Sequence, residues 1–484
     1  MSQPSLKRNF VLNAIRAASA MLFPLITFQY ASRVLLAEGM GRVAFATSFV
    51  AYFNMFARLG VPSYGLRACA QARDDRTRLT RTAQELLLIN LLAGVVAFAA
   101  LGVCLFAVPR VRADRGLFLI VSTTLFFDAI GMEWLYQGLE QYAYITYRSL
   151  AFKAVALVSV FLMLHRPEDY LVYGAISVFA GAAPNVLNFF HARRYISLRP
   201  VGGYHLSRHM QSVLVFFAMS CAITVYTNMD EVMLGFMRGN ADVGYYNVAV
   251  KIKTALVGIV AALSAVLMPR ASYYIDQGRL DAFRGLTRKG LHFVLSAGLA
   301  LTVYFIMFSR EAIGLLFGAA YEASVLPMQL IMPAVLLTGI TRVMGNQILI
   351  PLGKEKTLLH SVAAGAAANL VINALLIPGL GAVGAVLGTI AAETAVLIWQ
   401  FVKVKQSVDG VAGAFFQPKA IVAVALAAGA AVWVKFLPMG DFARLAVSAV
   451  CFFGVFAAAL LAMKDELAWE SWGYVAGILK RGKH

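Results

Sequence analysis

The feature that most constrains this chain is a series of fourteen apolar stretches, each long enough to cross a lipid bilayer as a helix. A helix needs about 20 apolar residues to span the hydrocarbon core. Backbone polar groups in that core must bond within the segment, so these stretches predict α-helices. We therefore expect an all-α polytopic membrane protein with about 14 transmembrane helices. The stretches are 10–36, 43–66, 84–108, 116–139, 146–165, 170–191, 210–237, 242–268, 288–309, 324–351, 357–377, 380–404, 418–436 and 442–463.

The composition and the charge agree with this class. Hydrophobic residues make up 60% of the chain and charged residues 14%, whereas soluble domains carry about 25% charged residues. A net charge of +18 is also typical of nucleic-acid-binding proteins. Here, however, the lysines and arginines fall mainly in alternate loops, which is the positive-inside pattern of membrane proteins. We expect a lipid bilayer as the surroundings and no nucleic-acid partner.

The basic loops also predict the orientation. The two most basic loops, 67–81 and 270–289, fall on the same side as the N-terminus, and an even number of spans places both termini there. That side is expected to be cytoplasmic. The first apolar stretch runs to span length without a cleavage site, so no signal peptide is expected. One outer loop, 109–116, departs from the pattern because it carries three arginines: Arg110, Arg112 and Arg115.

Three pairs of similar segments indicate two repeated halves. GRVAFA at 41–46 resembles DVGYY at 242–246, WLYQGLE at 134–140 resembles IPLGKE at 350–355, and YGAI at 173–176 resembles VGAV at 383–386. The pairs occur in the same order at offsets near 200, and six spans separate equivalents, so the repeats are parallel. We predict an N-terminal six-helix lobe at 1–200, a second at 201–405, and two extra helices with a cytoplasmic tail at 406–484.

Positively charged residues inside the predicted spans carry the strongest functional signal. One at the centre of a lipid-facing helix costs about 2.5–3.5 kcal/mol, so the deep ones must line a cavity or pair with a buried carboxylate. Arg16, Arg33 and Lys153 lie near span ends and can also snorkel to the headgroups. The deeper ones are Arg58, Arg342, Lys251 and Lys253.

Two of the deep cations share a helical face with an amide four residues away. Lys251 follows Asn247, and Arg342 precedes Asn346. Such a pair suits a phosphate oxygen and its neighbours, with arginine able to make bidentate contacts. Lys251 and Lys253 point about 200° apart on a straight helix, so only one of them can face a given cavity.

Acids inside the spans are the candidates for coupling transport to a proton or sodium gradient. They are Asp128, Glu133, Asp230, Glu231 and Glu393. Each can instead pair with one of the buried cations. Asp230 is the best placed, because it lies in the polar run TNMDE at 227–231. The chain has no nucleotide-binding loop and no metal-ligand or hydrolase motif, so no cofactor and no enzymatic activity are expected.

Several segments resemble Wzx-type polysaccharide flippases of the multidrug/oligosaccharidyl-lipid/polysaccharide (MOP) exporter superfamily. These are NMDEVMLG at 228–235, DVGYYNVAVKI at 242–252, EWLYQGLE at 133–140 and GVPSYGLR at 60–67. The resemblance covers about residues 8–460. It implies two six-helix lobes around a central cationic cavity. It also implies transfer of undecaprenyl-diphosphate-linked oligosaccharides to the periplasmic leaflet of the bacterial inner membrane, for O-antigen or exopolysaccharide biosynthesis.

The resemblance also implies roles for particular residues. Cavity cations on the first, second, eighth and tenth helices of such flippases correspond here to Arg16, Arg33, Arg58, Lys251 and Arg342, whereas the seventh helix offers acids. Polysaccharide polymerases and chain-length proteins are further candidate partners. Three alternatives remain open: a lipid II flippase, a multidrug cation antiporter, and a membrane-embedded glycosyltransferase or polymerase. The cationic spans disfavour the antiporter, and the short outer loops disfavour the enzyme.

Overall fold

The structure, a computed structural model, describes residues 6–406, 413, 415–470 and 472–473. This part of the chain is helical and contains no β-strand, which confirms the all-α class. It forms two compact units, Met1–Gly244 and Tyr245–His484. The boundary predicted near residue 200 stays a prediction, and most of the predicted cytoplasmic tail, including His484, lies outside the described residues.

The first unit consists of a series of helices joined by short turns, except for the longer loop 192–206. They are α1 (Leu6–Arg58), α2 (Val61–Ala72), α3 (Arg76–Ala107), α4 (Pro109–Ala113), α5 (Arg115–Ile130), α6 (Glu133–Gly138), α7 (Tyr142–Met163), α8 (Tyr170–Gly181), α9 (Pro184–His191) and α10 (Ser207–Met237). The next helix, α11 (Asn240–Asp276), begins at the end of this unit.

Local sequence explains where several of these helices begin and end. Asp75 caps α3, since its carboxylate accepts hydrogen bonds from the backbone N–H groups of Thr77 and Arg78. Gly60 precedes α2 with φ +73°, and a Cβ there would lie 2.4 Å from the backbone nitrogen of Phe217. Only glycine allows this close approach of the α1–α2 turn to α10.

The loops of the first unit gather alternately at two ends, as spanning helices require. At one end, Arg42 of α1 contacts Asp114 before α5 and Tyr170 at the start of α8. At the other end, Gln84 of α3 donates to the carbonyl oxygens of Ser197 and Arg199 in the basic loop after α9. The first end is the predicted outer end, and the second is the predicted cytoplasmic end.

The second unit has a corresponding series of long helices. They are α12 (Leu280–Met307), α13 (Ser309–Phe317), α14 (Val325–Ile331), α15 (Pro333–Val343), α16 (Glu355–Leu380), α17 (Ala382–Lys405), α18 (Pro418–Val432) and α19 (Asp441–Ala462). A 43° bend separates Ala319–Ile331 from Pro333–Leu349, as expected where a proline interrupts the helical bonds. The end of that span, Met344–Leu349, winds as a π-helix.

The number of spans agrees with the sequence once one long helix is divided. Among the described residues, 12 helical segments are long and apolar enough to cross a membrane, and the bent pair makes a thirteenth if it is one span. One segment, Phe23–Ala72, has 50 residues, which is about 75 Å of helix against a core of about 30 Å. It contains a break at Leu36 and therefore holds parts of two predicted spans, which brings the number to fourteen.

Candidate functional site

A polar cavity of about 270 Å³ lies within the first unit. It is formed where α1 and α5 end and where α6 and α9 begin, with α3 as a further wall. The break between α5 and α6 creates it, because Met132 adopts a left-handed conformation (φ 41°, ψ 32°), which costs about 1–2 kcal/mol for a residue with a Cβ. The lining residues are Arg58, Pro62, Asn90, Asp128, Gly131, Met132, Glu133, Trp134, Gln137, Gly181 and Asn185.

One cluster in the cavity centres on Asp128. Its carboxylate accepts hydrogen bonds from the side-chain amides of Asn54 (2.7 Å) and Asn185 (2.8 Å). Arg58 approaches the same carboxylate at 3.6 Å. The Asp128 side chain is 17% exposed and that of Arg58 43% exposed, so the arginine is the accessible partner. Arg58 therefore both lines a cavity and pairs with an acid, which the sequence analysis treats as alternatives.

A second cluster centres on Glu133. Arg16 donates to Glu133 at 2.6 Å, and Gln137 donates to the same carboxylate at 3.0 Å. Arg148 lies 3.7 Å from the other carboxylate oxygen and donates to the carbonyl of Pro184. Because Arg148 is only 9% exposed, Glu133 neutralises a buried cation as well as the half-buried Arg16.

Some buried polar atoms at the cavity lack a partner within the protein. Asn90 and Trp134 are buried residues that line it. Among the described residues, the Asn90 side-chain oxygen and the Trp134 indole nitrogen have no hydrogen-bond partner. Buried polar groups are normally hydrogen-bonded. Both atoms have almost no accessible surface, so they are unpaired polar groups within the wall of the cavity.

The remaining predicted residues of the first unit lie elsewhere. Lys153 donates to the Ser19 hydroxyl at 3.0 Å, and Arg33 is exposed three residues before the break in α1. Asp230 is buried in α10, and the Ser48 hydroxyl donates to Glu231. The cavity lining thus includes Arg58 with Asp128 and Glu133, and does not include Asp230 or Glu231.

The predicted residues of the second unit are spread over two helices. Lys251 is exposed and Lys253 half-buried on α11, and Asn247 is buried there. Arg342 is exposed at the end of α15, whereas Asn346 lies in the π-helical segment. The spacing that paired Arg342 with Asn346 assumes α-helical winding, which does not hold in that segment.

Two buried asparagines of the second unit have a structural role. Asn373 donates to Asn369 at 3.1 Å within α16. A Cβ on Gly388 of α17 would lie 1.9 Å from the Asn373 side-chain oxygen, so the asparagines pack directly against the neighbouring helix. Glu393 is also buried on α17. Small residues and amides at a helix contact are typical of membrane bundles.

The sequence analysis misses several residues that build the cavity. Arg148 lies two residues inside a predicted span. A cation so near a span end can extend to the headgroups, so the sequence does not mark Arg148 as a cavity residue. Asn54 precedes Arg58 by four residues, the same amide–cation spacing that marks Lys251 and Arg342, so this signal is present in the sequence. Asn90 and Asn185 carry no such signal, because only the fold brings them to the cavity.

The charges and size of the cavity define what it can bind. The Arg58 guanidinium group, held by Asp128 at the wall, can exchange this partner for the oxygens of an anion, and arginine contacts phosphate in a bidentate manner. Pockets for drug-sized ligands have about 300–1,000 Å³, so this cavity admits a headgroup and excludes a complete lipid-linked glycan.

Sequence comparison places these features among known proteins. The profile of the family described as "Polysaccharide biosynthesis protein" matches residues 6–274. Two relatives carry the name "Putative O-antigen transporter". The one from Escherichia coli (strain K12) is 23% identical over 403 residues, covering 82% of this chain and 97% of the relative. The one from Shigella dysenteriae is 22% identical over 406 residues, covering 83% and 100%.

Solved structures share the fold. "Lipid II flippase MurJ, inward closed conformation" matches with a TM-score of 0.73 at 15% identity, over 94% of this chain and 99% of that chain. An inward-facing multidrug resistance MATE transporter of the MOP superfamily matches with a TM-score of 0.61 at 13% identity, over 83% and 99%. The predicted resemblance to MOP-type exporters is confirmed, and the chain belongs to the polysaccharide biosynthesis protein family.

Proposed function

We propose that this protein transfers undecaprenyl-diphosphate-linked oligosaccharides across the bacterial inner membrane by alternating access. The observation that carries the proposal is the cavity in which Arg58 is held by Asp128, while Glu133 of the same lining pairs with Arg16. The names of the sequence relatives supply the substrate class, since both refer to O-antigen transport. Both termini are proposed to lie in the cytoplasm.

The cavity suits the diphosphate of such a lipid. A diphosphate is small and strongly anionic, and the cavity has Arg58 at its wall and too little space for the sugars. The sugars would need a larger polar space, and the lipid tail would stay in the bilayer. In the second unit, Arg342, Lys251 or Lys253, with Asn247 and Asn346, and Arg33 in the first unit, are proposed as further substrate contacts.

We propose that binding proceeds by exchange of partners. When a phosphate oxygen replaces Asp128 beside Arg58, Asp128 keeps its hydrogen bonds from Asn54 and Asn185. The carboxylate is then stabilised by amides alone. Loss of a neighbouring positive charge favours the protonated form of an acid. Substrate binding is thereby linked to proton binding without a nucleotide.

The carboxylates that can carry this coupling are ranked by their access to the cavity. Asp128 is the first candidate, because its cationic partner is accessible. Glu133 must also neutralise the buried Arg148, so its loss of charge would be more costly. Asp230 and Glu231 remain proposed coupling residues on α10, and sodium remains an alternative to the proton.

The experiment is a flipping assay in proteoliposomes that contain undecaprenyl-diphosphate-linked oligosaccharide. Arg58→Ala should slow flipping by at least about tenfold, the loss expected for one charge-assisted contact, and Arg58→Lys should restore part of it. Arg73→Ala is the matched control, since Arg73 is 41% exposed and pairs with Glu140 at 3.2 Å outside the cavity.

Two results would contradict the proposal. Equal rates for the Arg58→Ala and Arg73→Ala variants would remove the cavity from substrate binding. Faster transfer of lipid II than of the oligosaccharide lipid would replace the proposed substrate with a peptidoglycan precursor. Arg342→Ala tests the second unit in the same assay.

A further inference from the structure

The outer loop that departs from the charge pattern forms α4 at the outer end of the first unit. Cationic loops are disfavoured on that side, so its arginines call for a local explanation. Arg112 and Arg115 are exposed, whereas Arg110 is half-buried. Among the three arginines of this loop, Arg110 is therefore the one whose contacts need an explanation.

Arg110 binds the turn between α10 and α11. Its Nε donates to the carbonyl oxygen of Gly235 at 3.0 Å, and its Nη2 donates to the side-chain oxygen of Asn240 at 2.6 Å. The guanidinium also lies 5.5 Å from the centre of the Phe45 ring. One side chain thus joins α4, the second segment of α1, and the turn 235–240.

Beneath Arg110, the second segment of α1 and the start of α11 approach each other at two glycines. A Cβ on Gly41 would lie 1.7 Å from the carbonyl oxygen of Asn240, and a Cβ on Gly244 would lie 2.1 Å from the carbonyl oxygen of Ala37. Positions 37 and 240, like 41 and 244, are separated by the offset of the internal repeat. The contact is therefore reciprocal, as at a two-fold axis.

Two further layers complete this contact. Asn240 donates to Glu38 at 2.7 Å, and Glu38 also accepts from Arg42. Below them, aromatic rings pack edge-to-face: Phe45, Phe49, Phe118 and Phe236. The Asn240–Glu38 hydrogen bond joins α11 to α1 directly, and the two hydrogen bonds of Arg110 join α4 to the same turn.

We propose that Arg110 is a latch that holds the outer end of the first unit closed, and that it must release Gly235 and Asn240 before that end opens. The proposal rests on transport by alternating access, in which one end is sealed while the other is open. It also explains why an arginine is placed in an outer loop against the general charge preference.

The experiment measures access to the contact beneath the latch. Ala37, which is buried, is changed to cysteine in a variant whose native Cys69, Cys104, Cys221 and Cys451 are replaced. Right-side-out vesicles are then treated with a membrane-impermeant maleimide. Arg110→Gln should raise the rate of labelling at position 37 by about tenfold, the shift produced by loss of one charge-assisted hydrogen bond.

Arg112→Gln is the matched control, because it removes the same charge from the same loop at an exposed position. Arg110→Lys keeps the charge but cannot reach both acceptors at once, so labelling should be intermediate. Equal labelling in the Arg110→Gln and Arg112→Gln variants would overturn the latch. So would a failure of both Arg110 variants to accumulate, which would assign Arg110 to folding. Labelling needs no substrate, so the result is independent of whether the oligosaccharide lipid is the cargo.

Discussion

Asp128 and Glu133 have different surroundings although both line the cavity. Glu133 is shared by Arg16, Arg148 and Gln137, and its removal would leave the buried Arg148 without its carboxylate. Asp128 is held mainly by neutral amides and by the accessible Arg58. The surroundings thus favour a structural role for Glu133 and an exchangeable role for Asp128.

We predict that Asp128→Asn makes flipping insensitive to an imposed pH gradient, because the replacement cannot gain or lose a proton. The variant should still accumulate in the membrane, since only one of two amide donors loses its acceptor, at a cost of about 1–3 kcal/mol. The measurement is the flipping rate in proteoliposomes with and without the gradient.

Asp230→Asn is the comparison, because the polar run around Asp230 makes it the coupling residue that the sequence favours. A full response to the gradient in the Asp128 variant and its loss in the Asp230 variant would transfer the coupling to α10. A full response to the pH gradient in both variants would leave Glu231 and Glu133 as the candidate coupling residues.

The ion pairs at the cavity separate what the sequence predicts for single residues from what it does not. The cost of a charge in hydrocarbon identifies Arg16, Arg58, Asp128 and Glu133 as special residues without any structure. It does not identify their partners, because Arg16 and Glu133 are brought together from positions 117 residues apart. The left-handed conformation that brings Asp128 and Glu133 to one cavity is adopted by Met132 and not by the adjacent Gly131, so the sequence does not locate the break to the residue.

At the scale of elements, the break in α1 contains a strained residue. Leu36 has φ 57° and ψ −178°, a conformation that is essentially restricted to glycine and costs about 1–3 kcal/mol otherwise. The corresponding turn in the second repeat uses Gly239, with φ 129°. Leu36 is also exposed, so its side chain contributes little packing to offset the strain.

We predict that Leu36→Gly stabilises the protein by about 1 kcal/mol, since relief of strain exceeds the entropy cost of a glycine. Thermal unfolding in detergent, followed by a fluorescent thiol probe or by tryptophan emission, measures the change. Leu36→Ala is the control, because alanine loses the same side chain but keeps the Cβ that causes the strain. A gain in the alanine variant equal to that in the glycine variant would locate the effect in the side chain instead.

At the scale of the whole molecule, hydropathy was sufficient to predict the class and nearly all of the spans. It ended the first span at residue 36, where the structure has the break at Leu36, but it could not show that the helix continues directly through residues 37–42, because Glu38 and Arg42 interrupt the apolar pattern there. Charge alternation correctly places 67–81 with the loop after α9 at one end of the first unit, as the Gln84 contacts show. Of the three arginines in 109–116, Arg110 has local contacts with Gly235 and Asn240, whereas Arg112 and Arg115 are exposed.

The orientation of the chain in the membrane leads to the last prediction. Single cysteines at Arg76 and Arg279, in the two most basic loops, should react with an impermeant maleimide only after the membrane is permeabilised, because cationic loops are retained in the cytoplasm. A cysteine at Glu168, which is exposed at the predicted outer end, should react in intact spheroplasts. The three positions are compared in a variant without native cysteines, and denaturation provides the total reactive thiol.

Labelling of Arg76→Cys before permeabilisation would invert the first unit and with it the assignment of α4 to the outer end. Labelling of Arg279→Cys alone would show instead that the number of spans between the two loops is odd.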